Sequence, residues 1–367
     1  MNRADDTRLH VAVSGWLLGE PSGANRRLLA LLAHLAPQLA AGERITVLHR
    51  PDFVPGPLPS NIAFQPIAIP AGPTWRRVRA ERRLLPPTLH ALGANVLDHG
   101  FLPLPRTAVP ACLLLHDVRA ADGQTRWPRW FARWHLRSSC ARAAAIVVPS
   151  AFTAARVRAL APDAAVPTVV GNGIELPAAA SPPKAPGNGH LLHTGHLEPR
   201  KNLDVVLHAL ALLPTERRPD LVLVGRDAGS AAHLQQLAAR LGIARSLHVR
   251  GVLADAEVAA LCVTARAVVV PSTYEGFGLA ALEGLACGRP TLVAAAGALP
   301  EVVGEAGTCL PPHDAAAWAR AIDATATDAA AAAPARRQRA AQFAWPAAAQ
   351  RLLAVWRSIA LLAPQRP

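Results

Sequence analysis

Two carboxylates, Glu275 and Glu283, flank a turn that contains Gly276 and Gly278, within the stretch RAVVVPSTYEGFGLAALEGLACGRPTLVAAAGALPEVVGEAG at residues 266–307. Carboxylates accept hydrogen bonds from hydroxyl groups. A glycine turn that opens a helix accepts anions, because backbone N–H groups and the positive end of the helix dipole can approach without side chains in the way. A phosphate or diphosphate fits this turn, with one carboxylate addressing what lies on each side of it. A nucleotide sugar carries hydroxyls on both sides of its diphosphate. Two ordinary solvated glutamates are the competing reading of such a pair, and the turn between them weighs against it.

The surrounding pattern supplies the scaffold. Ala267–Val270 is a short β-branched run stopped by Pro271, the mark of a buried parallel strand. Ser272–Gly278 reads as a turn, and a helix is expected from Leu279 to about Ala286, ended by Gly288 and Pro290. Glu283 then lies about one turn inside the helix, roughly 6 Å along its axis. Gly276-x-Gly278-x-x-Ala281 also matches the dinucleotide fingerprint. That fingerprint wants an acidic residue at the end of the next strand, and Thr291–Val293 runs into Ala294, Ala295 and Ala296.

The Glu-x7-Glu spacing inside EGFGLAALEGLACGRP, followed by GALPEVVGEAG, resembles the signature of the family 4 retaining glycosyltransferases. Their fold is GT-B, two Rossmann-like parallel-sheet α/β domains facing a cleft, and the likeness in layout extends along nearly the whole chain. The resemblance implies that Glu275 binds sugar hydroxyls, Glu283 the ribose, and Gly276, Phe277, Gly278 and Leu279 the diphosphate through backbone N–H groups. In GHLEPRKN (195–202), Gly195, Arg200 and Lys201 follow the family pattern, which places positive charge on the departing nucleotide diphosphate. Many relatives carry arginine directly after the glycine; here that position is His196, which leaves Arg200 and Lys201 to carry more of the clamp. LLLHDVR resembles the family strand ending in His-Asp, which implies that His116 contacts the donor sugar near the reacting centre. Pro21-Ser22-Gly23-Ala24-Asn25 takes the place of the family's glycine-rich loop, with Gly23 as its acceptor or phosphate contact. Retention of anomeric configuration is implied, by same-face attack in which a donor phosphate oxygen takes the acceptor proton.

The chain of 367 residues is long enough for two domains, and 51% of it is apolar. Strands near 9–15, 45–49, 62–69, 95–98, 112–116 and 145–148, alternating with helices near 26–36 and 74–85, predict a parallel sheet covered on both faces. Residues 1–175 are read as an acceptor-binding domain and LPAAASPPKAPGNG (176–189) as a linker. Residues 190–345 are read as the nucleotide-sugar domain, and 346–367 as an apolar-striped helix that the resemblance sends back to the first domain.

Composition narrows the function. No apolar run is long enough to span a membrane, and LHVAVSGWLLG reads as a first strand rather than a leader, so a cytoplasmic location is expected. Cys112, Cys140, Cys262, Cys287 and Cys309 are scattered without a Cys-x-x-Cys pair, and no Asp-x-Asp occurs. No metal and no cofactor are expected. The net charge of +13 suits a nucleic acid, an anionic substrate or an anionic membrane surface. No nucleic-acid motif accompanies it, so nucleic acid is set aside and the membrane surface comes first. TWRRVRAERRLL (74–85) and RWPRWFARWHLRSSCAR (126–142) have the composition of interfacial helices; the alternative is that their tryptophans pack in the core. The chain has only two lysines, Lys184 and Lys201, and one tyrosine, Tyr274. A lysine among so many arginines marks a place for a compact point charge.

The EPRKN loop with the LLLHD and DHG stretches looks most like bacterial mannosyltransferases of surface polysaccharide assembly. GDP-mannose is therefore the favoured donor and a lipid-linked saccharide the favoured acceptor. UDP- and dTDP-sugars remain open as donors, as do a sugar-nucleotide epimerase and a non-catalytic sugar-binding subunit. The presence of Glu275, His116 and Lys201 counts against the last.

Overall fold

The computed structural model describes residues 8–19, 23–56, 59–70, 72–125, 127–175, 189–327 and 330–362. The expected linker, Gly189 apart, lies outside the described residues, as do Pro21, Ser22 and Arg126. The chain divides into two compact units, Met1–Gly173 with Trp345–Pro367, and Ile174–Ala344.

The elements of the first unit are β1 (His10–Ser14), α1 (Gly23–Leu35), β2 (Arg44–His49), β3 (Ile62–Pro66), α2 (Thr74–Leu92), β4 (Val96–His99), β5 (Ala111–Leu114), α3 (Arg119–Asp122), α4 (Arg129–Cys140), β6 (Ala145–Val148), α5 (Ala151–Leu160) and β7 (Thr168–Val169). The strands form one sheet in the order β3-β2-β1-β4-β5-β6-β7, and every pairing is parallel. Apolar runs such as AIVV in β6 are what a sheet covered on both faces requires. The loop expected to reach Asn25 is shorter, because α1 begins at Gly23.

α2 departs from expectation. The helix expected over 74–85 continues through Pro86 and Pro87 to a left-handed cap at Gly93. Leu85 and Leu89, one turn apart, are both buried and hold the far turn on the core. The prolines withhold two backbone donors. The carbonyls that lose them belong to Arg82 and Arg83, on the exposed face, while the Thr88 hydroxyl donates to Leu84 O at 2.8 Å.

The second unit contains β8 (Leu191–Thr194), α6 (Leu203–Leu212), β9 (Leu221–Val224), α7 (Ala231–Arg240), β10 (Leu247–Gly251), α8 (Asp255–Thr264), β11 (Ala267–Val270), α9 (Leu279–Ala286), β12 (Thr291–Ala294), α10 (Leu299–Val303), β13 (Thr308–Leu310), α11 (Ala315–Ala324) and α12 (Ala333–Ala341). Its parallel sheet runs β10-β9-β8-β11-β12-β13. β13 has no apolar run to announce it: Thr308 and Cys309 are exposed and only Leu310 is buried.

The last helix, α13 (Trp345–Ala360), packs in the first unit. Ala349, Leu352, Leu353, Trp356 and Ile359 share a core with Leu31, Leu32 and Leu35 of α1. The Trp356 indole N–H donates to Asp98 Oδ2 at 2.8 Å. No helix among the described residues is long and apolar enough to cross a membrane. Trp75, Trp127, Trp130 and Trp134, the tryptophans of the two basic segments, are 62%, 55%, 73% and 60% exposed, so they are not core residues.

Candidate functional site

In the second unit the chain places β9 and β10 on one side of β8 and then crosses to β11 on the other. β8 and β11 are hydrogen-bonded neighbours, with Leu191 opposite Ala267. The loops that leave their carboxyl ends therefore diverge and open a crevice, the place where open α/β sheets bind ligands.

The loop after β8 carries Gly195, then a 3-10 turn over Pro199–Lys201. Its close approach to the next strand end fixes Gly225: the backbone there has φ +144°, and a Cβ would lie 2.0 Å from Gly195 O. Asn202 closes the turn in the left-handed region at φ 52°, which asparagine tolerates. Its side-chain amide donates to Pro271 O at 3.2 Å and to Pro312 O at 2.7 Å, tying three loops together. The Thr273 N–H donates to Arg200 O at 2.9 Å. These bonds deliver Arg200 and Lys201 to Glu275.

One carboxylate oxygen holds both cations. Lys201 Nζ lies 2.6 Å from Glu275 Oε1 and Arg200 Nη1 lies 3.2 Å from the same atom. Arg200 also donates from Nη1 to Tyr274 O at 2.9 Å and pairs through Nη2 with Glu198 Oε1 at 2.7 Å. Burial alone would push the Glu275 carboxyl up, but Lys201 and Arg200 outweigh it and hold it at about 2, so Glu275 is ionised. Burial pulls the Arg200 guanidinium down, and Glu275 with Glu198 more than reverses this.

Glu283 sits half-buried on α9, where Oε2 accepts from the Thr194 hydroxyl at 3.4 Å. Both glutamates thus meet the end of β8 or the loop that follows it. Gly278 caps α9 at φ +109°, and a Cβ there would lie 2.6 Å from the Leu299 side chain, so neither conformation nor space admits another residue. Leu279 opens the helix. Gly276 is buried, and the Phe277 ring is buried edge-on against Phe343 with centroids 5.7 Å apart. The fold therefore gathers Gly195, Arg200, Lys201, Glu275, Gly276, Phe277, Gly278, Leu279 and Glu283 around one pair of strand ends.

His116 and Gly23 belong to the first unit. Gly23 is the first residue of α1. His116 stands two residues beyond β5; burial first, then the positive charge of Arg27, lower its imidazole to about 3, so it is neutral at physiological pH.

Residues 179–343 match the model of the family described as glycosyl transferases group 1. The second unit is a group 1 glycosyl transferase domain. Two curated relatives of this domain are an MMP alpha-(1->4)-mannosyltransferase from Mycolicibacterium hassiacum and an O-antigen chain mannosyltransferase B from Escherichia coli. The first is 43% identical over 111 residues, covering 30% of this chain and 27% of the relative. The second is 40% identical over 128 residues, 34% of each. The chain thus spans about a third or less of the length of the curated relatives it matches. Along almost its whole length the chain shares the fold of a sucrose-phosphate synthase from Thermosynechococcus elongatus, with a TM-score of 0.80, 19% identity, and coverage of 96% of this chain and 99% of that one. This is the GT-B fold expected from the sequence, built on two parallel sheets of seven and six strands.

Three residues of this candidate site escaped the sequence reading. Glu198 shares Arg200 with Glu275. Asn202 staples the loops, and its place directly before a helix and after a charged turn is a readable signal for a left-handed residue. His193 is wholly buried, with Nδ1 2.9 Å from Val269 O; burial and then Lys201 lower it to about 4, so it is neutral. Nothing in the run LLHT marks that role.

Proposed function

We propose that this chain is a retaining glycosyltransferase that moves a hexose, mannose from GDP-mannose first, from a nucleotide sugar to a lipid-linked saccharide acceptor in cell-surface polysaccharide assembly. The observation that carries this reading is the oxygen of Glu275 gripped by Lys201 and Arg200 at the crevice between β8 and β11. Two cations beside a glycine-capped helix start suit a diphosphate, and a carboxylate held ionised beside them suits the hydroxyls of a sugar. The mannosyltransferase names of both relatives support the choice of sugar.

In this reading Lys201 and Arg200 meet the donor diphosphate and stabilise the charge that grows on it as the glycosidic bond breaks. Glu283 takes the ribose, and the N–H groups of Gly276, Phe277, Gly278 and Leu279 take phosphate oxygens. Neutral His116, from the acceptor-binding domain (1–175), takes a hydroxyl of the donor sugar near its anomeric carbon, and Gly23 lies in the loop that meets acceptor or phosphate. A donor phosphate oxygen takes the acceptor proton. The exposed tryptophans and neighbouring arginines hold the chain peripherally on the anionic inner face of the cytoplasmic membrane.

A thermal-shift series with GDP, UDP, ADP, dTDP and their sugar conjugates, with chelator present, tests the donor. Saturable stabilisation by GDP and GDP-mannose is expected; stabilisation by UDP alone changes the donor, and none at all overturns the site. With the donor known, Glu275→Gln is expected to abolish transfer, and unchanged turnover removes the role given to Glu275.

A further inference from the structure

The first unit encloses an open cavity of about 1370 Å³, larger than the roughly 300–1,000 Å³ of ordinary small-molecule sites. Its walls come from α2, α3, α4 and the segments that follow β4 and β5. The wall is mainly apolar, from residues such as Phe101, Leu102, Val118, Ala132 and Leu136. The charge on it is strongly one-sided. Arg79, Arg82 and Arg83 line it from the exposed face of α2, while the one acidic residue among the described residues that line it, Asp117, is engaged by Arg119 at 3.0 Å.

α4 shows how this region is arranged. Phe131 and His135, one turn apart, meet edge to face with ring centroids 4.3 Å apart and line the cavity. Trp130 and Trp134, also one turn apart, are exposed. Trp75 and Trp127 line the cavity and are exposed as well. An apolar chamber, a row of arginines on one helix and exposed tryptophans beside both form the arrangement expected where an amphiphile leaves a bilayer.

We propose that this cavity holds the apolar chain of the acceptor's lipid anchor, and that Arg79, Arg82 and Arg83 receive the phosphate joining that chain to the saccharide. The proposal rests on the reading of the chain as a transferase with a lipid-linked acceptor, and names how that acceptor is recognised. A free saccharide has no use for the apolar wall. A neutral lipid leaves the arginines without a partner of opposite charge. A phosphate-bearing chain uses both, burying its methylenes against the apolar wall and bringing its charge to the arginines. His116 lines the same cavity, so a saccharide extending from the phosphate past His116 brings its terminal hydroxyls to the residue assigned to the donor sugar.

Equilibrium dialysis of the full chain against dodecyl phosphate below its micelle concentration tests this, with inorganic phosphate and neutral dodecyl maltoside as comparison probes. Saturable one-site binding of dodecyl phosphate is expected, at least tenfold tighter than that of either other probe. Ala132→Phe fills the chamber and is expected to weaken dodecyl phosphate at least tenfold; Ala120→Phe on α3 does the same from another wall, should the first variant fail to fold. Arg82→Glu combined with Arg83→Glu is expected to weaken dodecyl phosphate about tenfold and leave dodecyl maltoside unchanged. Equal binding of inorganic phosphate, or dodecyl phosphate binding that ignores all of these substitutions, overturns the proposal. The nucleotide thermal shift separates the two readings. A protein that binds dodecyl phosphate but no nucleotide keeps its lipid site and loses the donor site; one that binds nucleotide but no dodecyl phosphate loses the lipid site alone.

Discussion

Both units place their first strand third from one edge of the sheet, lay the next two strands on that side and cross to the other, so each has a crevice at the same topological point. In the second unit that crevice, between β8 and β11, is lined by Lys201, Arg200 and Glu275. In the first, between β1 and β4, the strand ends carry Ser14 and His99, both buried and joined by a hydrogen bond of 2.7 Å between Ser14 Oγ and His99 Nδ1. Close by, Arg77 pairs with the buried Glu81 at 2.6 Å, and Glu81 lies 4.0 Å from His99. Topology supplies a crevice in both cases, and side chains decide whether it stays charged.

The deciding quantity is the number of cations set against burial. Glu275 has two and is held at about 2. Glu81 has one, and burial, the larger effect, leaves its carboxyl at about 7 in spite of Arg77. His99, desolvated and near Arg77, falls to about 3 and stays neutral. One crevice keeps its charge at the strand ends, while the other moves toward neutrality there.

The largest effect that sharpens this contrast belongs to Lys201. Lys201→Ala is expected to lower kcat by about 10²–10³-fold, the range for losing one preorganised charge partner of a transition state, and to release Glu275 upward from about 2. Steady-state kinetics with the donor found by thermal shift checks it. A loss under tenfold would make the charged crevice as structural as its counterpart.

Arg77→Ala comes next and should act on stability, since it leaves Glu81 buried without its cation. We expect a loss of about 1–3 kcal/mol, larger at pH 8 than at pH 5 because Glu81 must ionise at the higher pH. Denaturant melts at the two values read this directly.

The two carboxylates also predict opposite pH slopes. Glu275 is depressed in the folded chain, so its contribution is present above the ordinary carboxyl value of 4.5 and is lost as pH falls from there toward about 2. Glu81 is raised, so the folded state holds a proton that the unfolded chain has released, and stability falls as pH rises from 4.5 to about 7. Glu275→Gln should remove the first slope and Glu81→Gln the second, as measured by melts across pH 3–8. The smallest effect is expected from Ser14→Ala, about 1 kcal/mol of stability, with nucleotide binding unchanged by titration.

Legibility followed sequence distance. β11, its turn and α9 were readable because strand, glycines, carboxylates and helix lie in one short run. The pairing of Lys201 with Glu275 spans 74 residues, and it exists only because β8 and β11 are neighbours in the sheet. α2 outran its prolines because Leu89 is buried by tertiary packing. β7, with two residues, and the largely exposed β13 offer too little apolar pattern to be seen. Composition left the tryptophans of the two basic segments with an interfacial and a core reading; their exposure, and the chamber they help enclose, depend on how α2, α3 and α4 pack.

The placement of α13 carries a consequence for the order of events on the ribosome. The core of the first unit draws on Leu352, Leu353 and Trp356, which emerge only after every residue of the second unit has been made. Folding of the amino-terminal half therefore waits on translation of the carboxyl end. The second unit, continuous in sequence, is free to fold first. A stalled or prematurely ended chain would carry a finished second unit and an apolar face on α1 with nothing to cover it, which is a substrate for chaperones rather than a folded first unit.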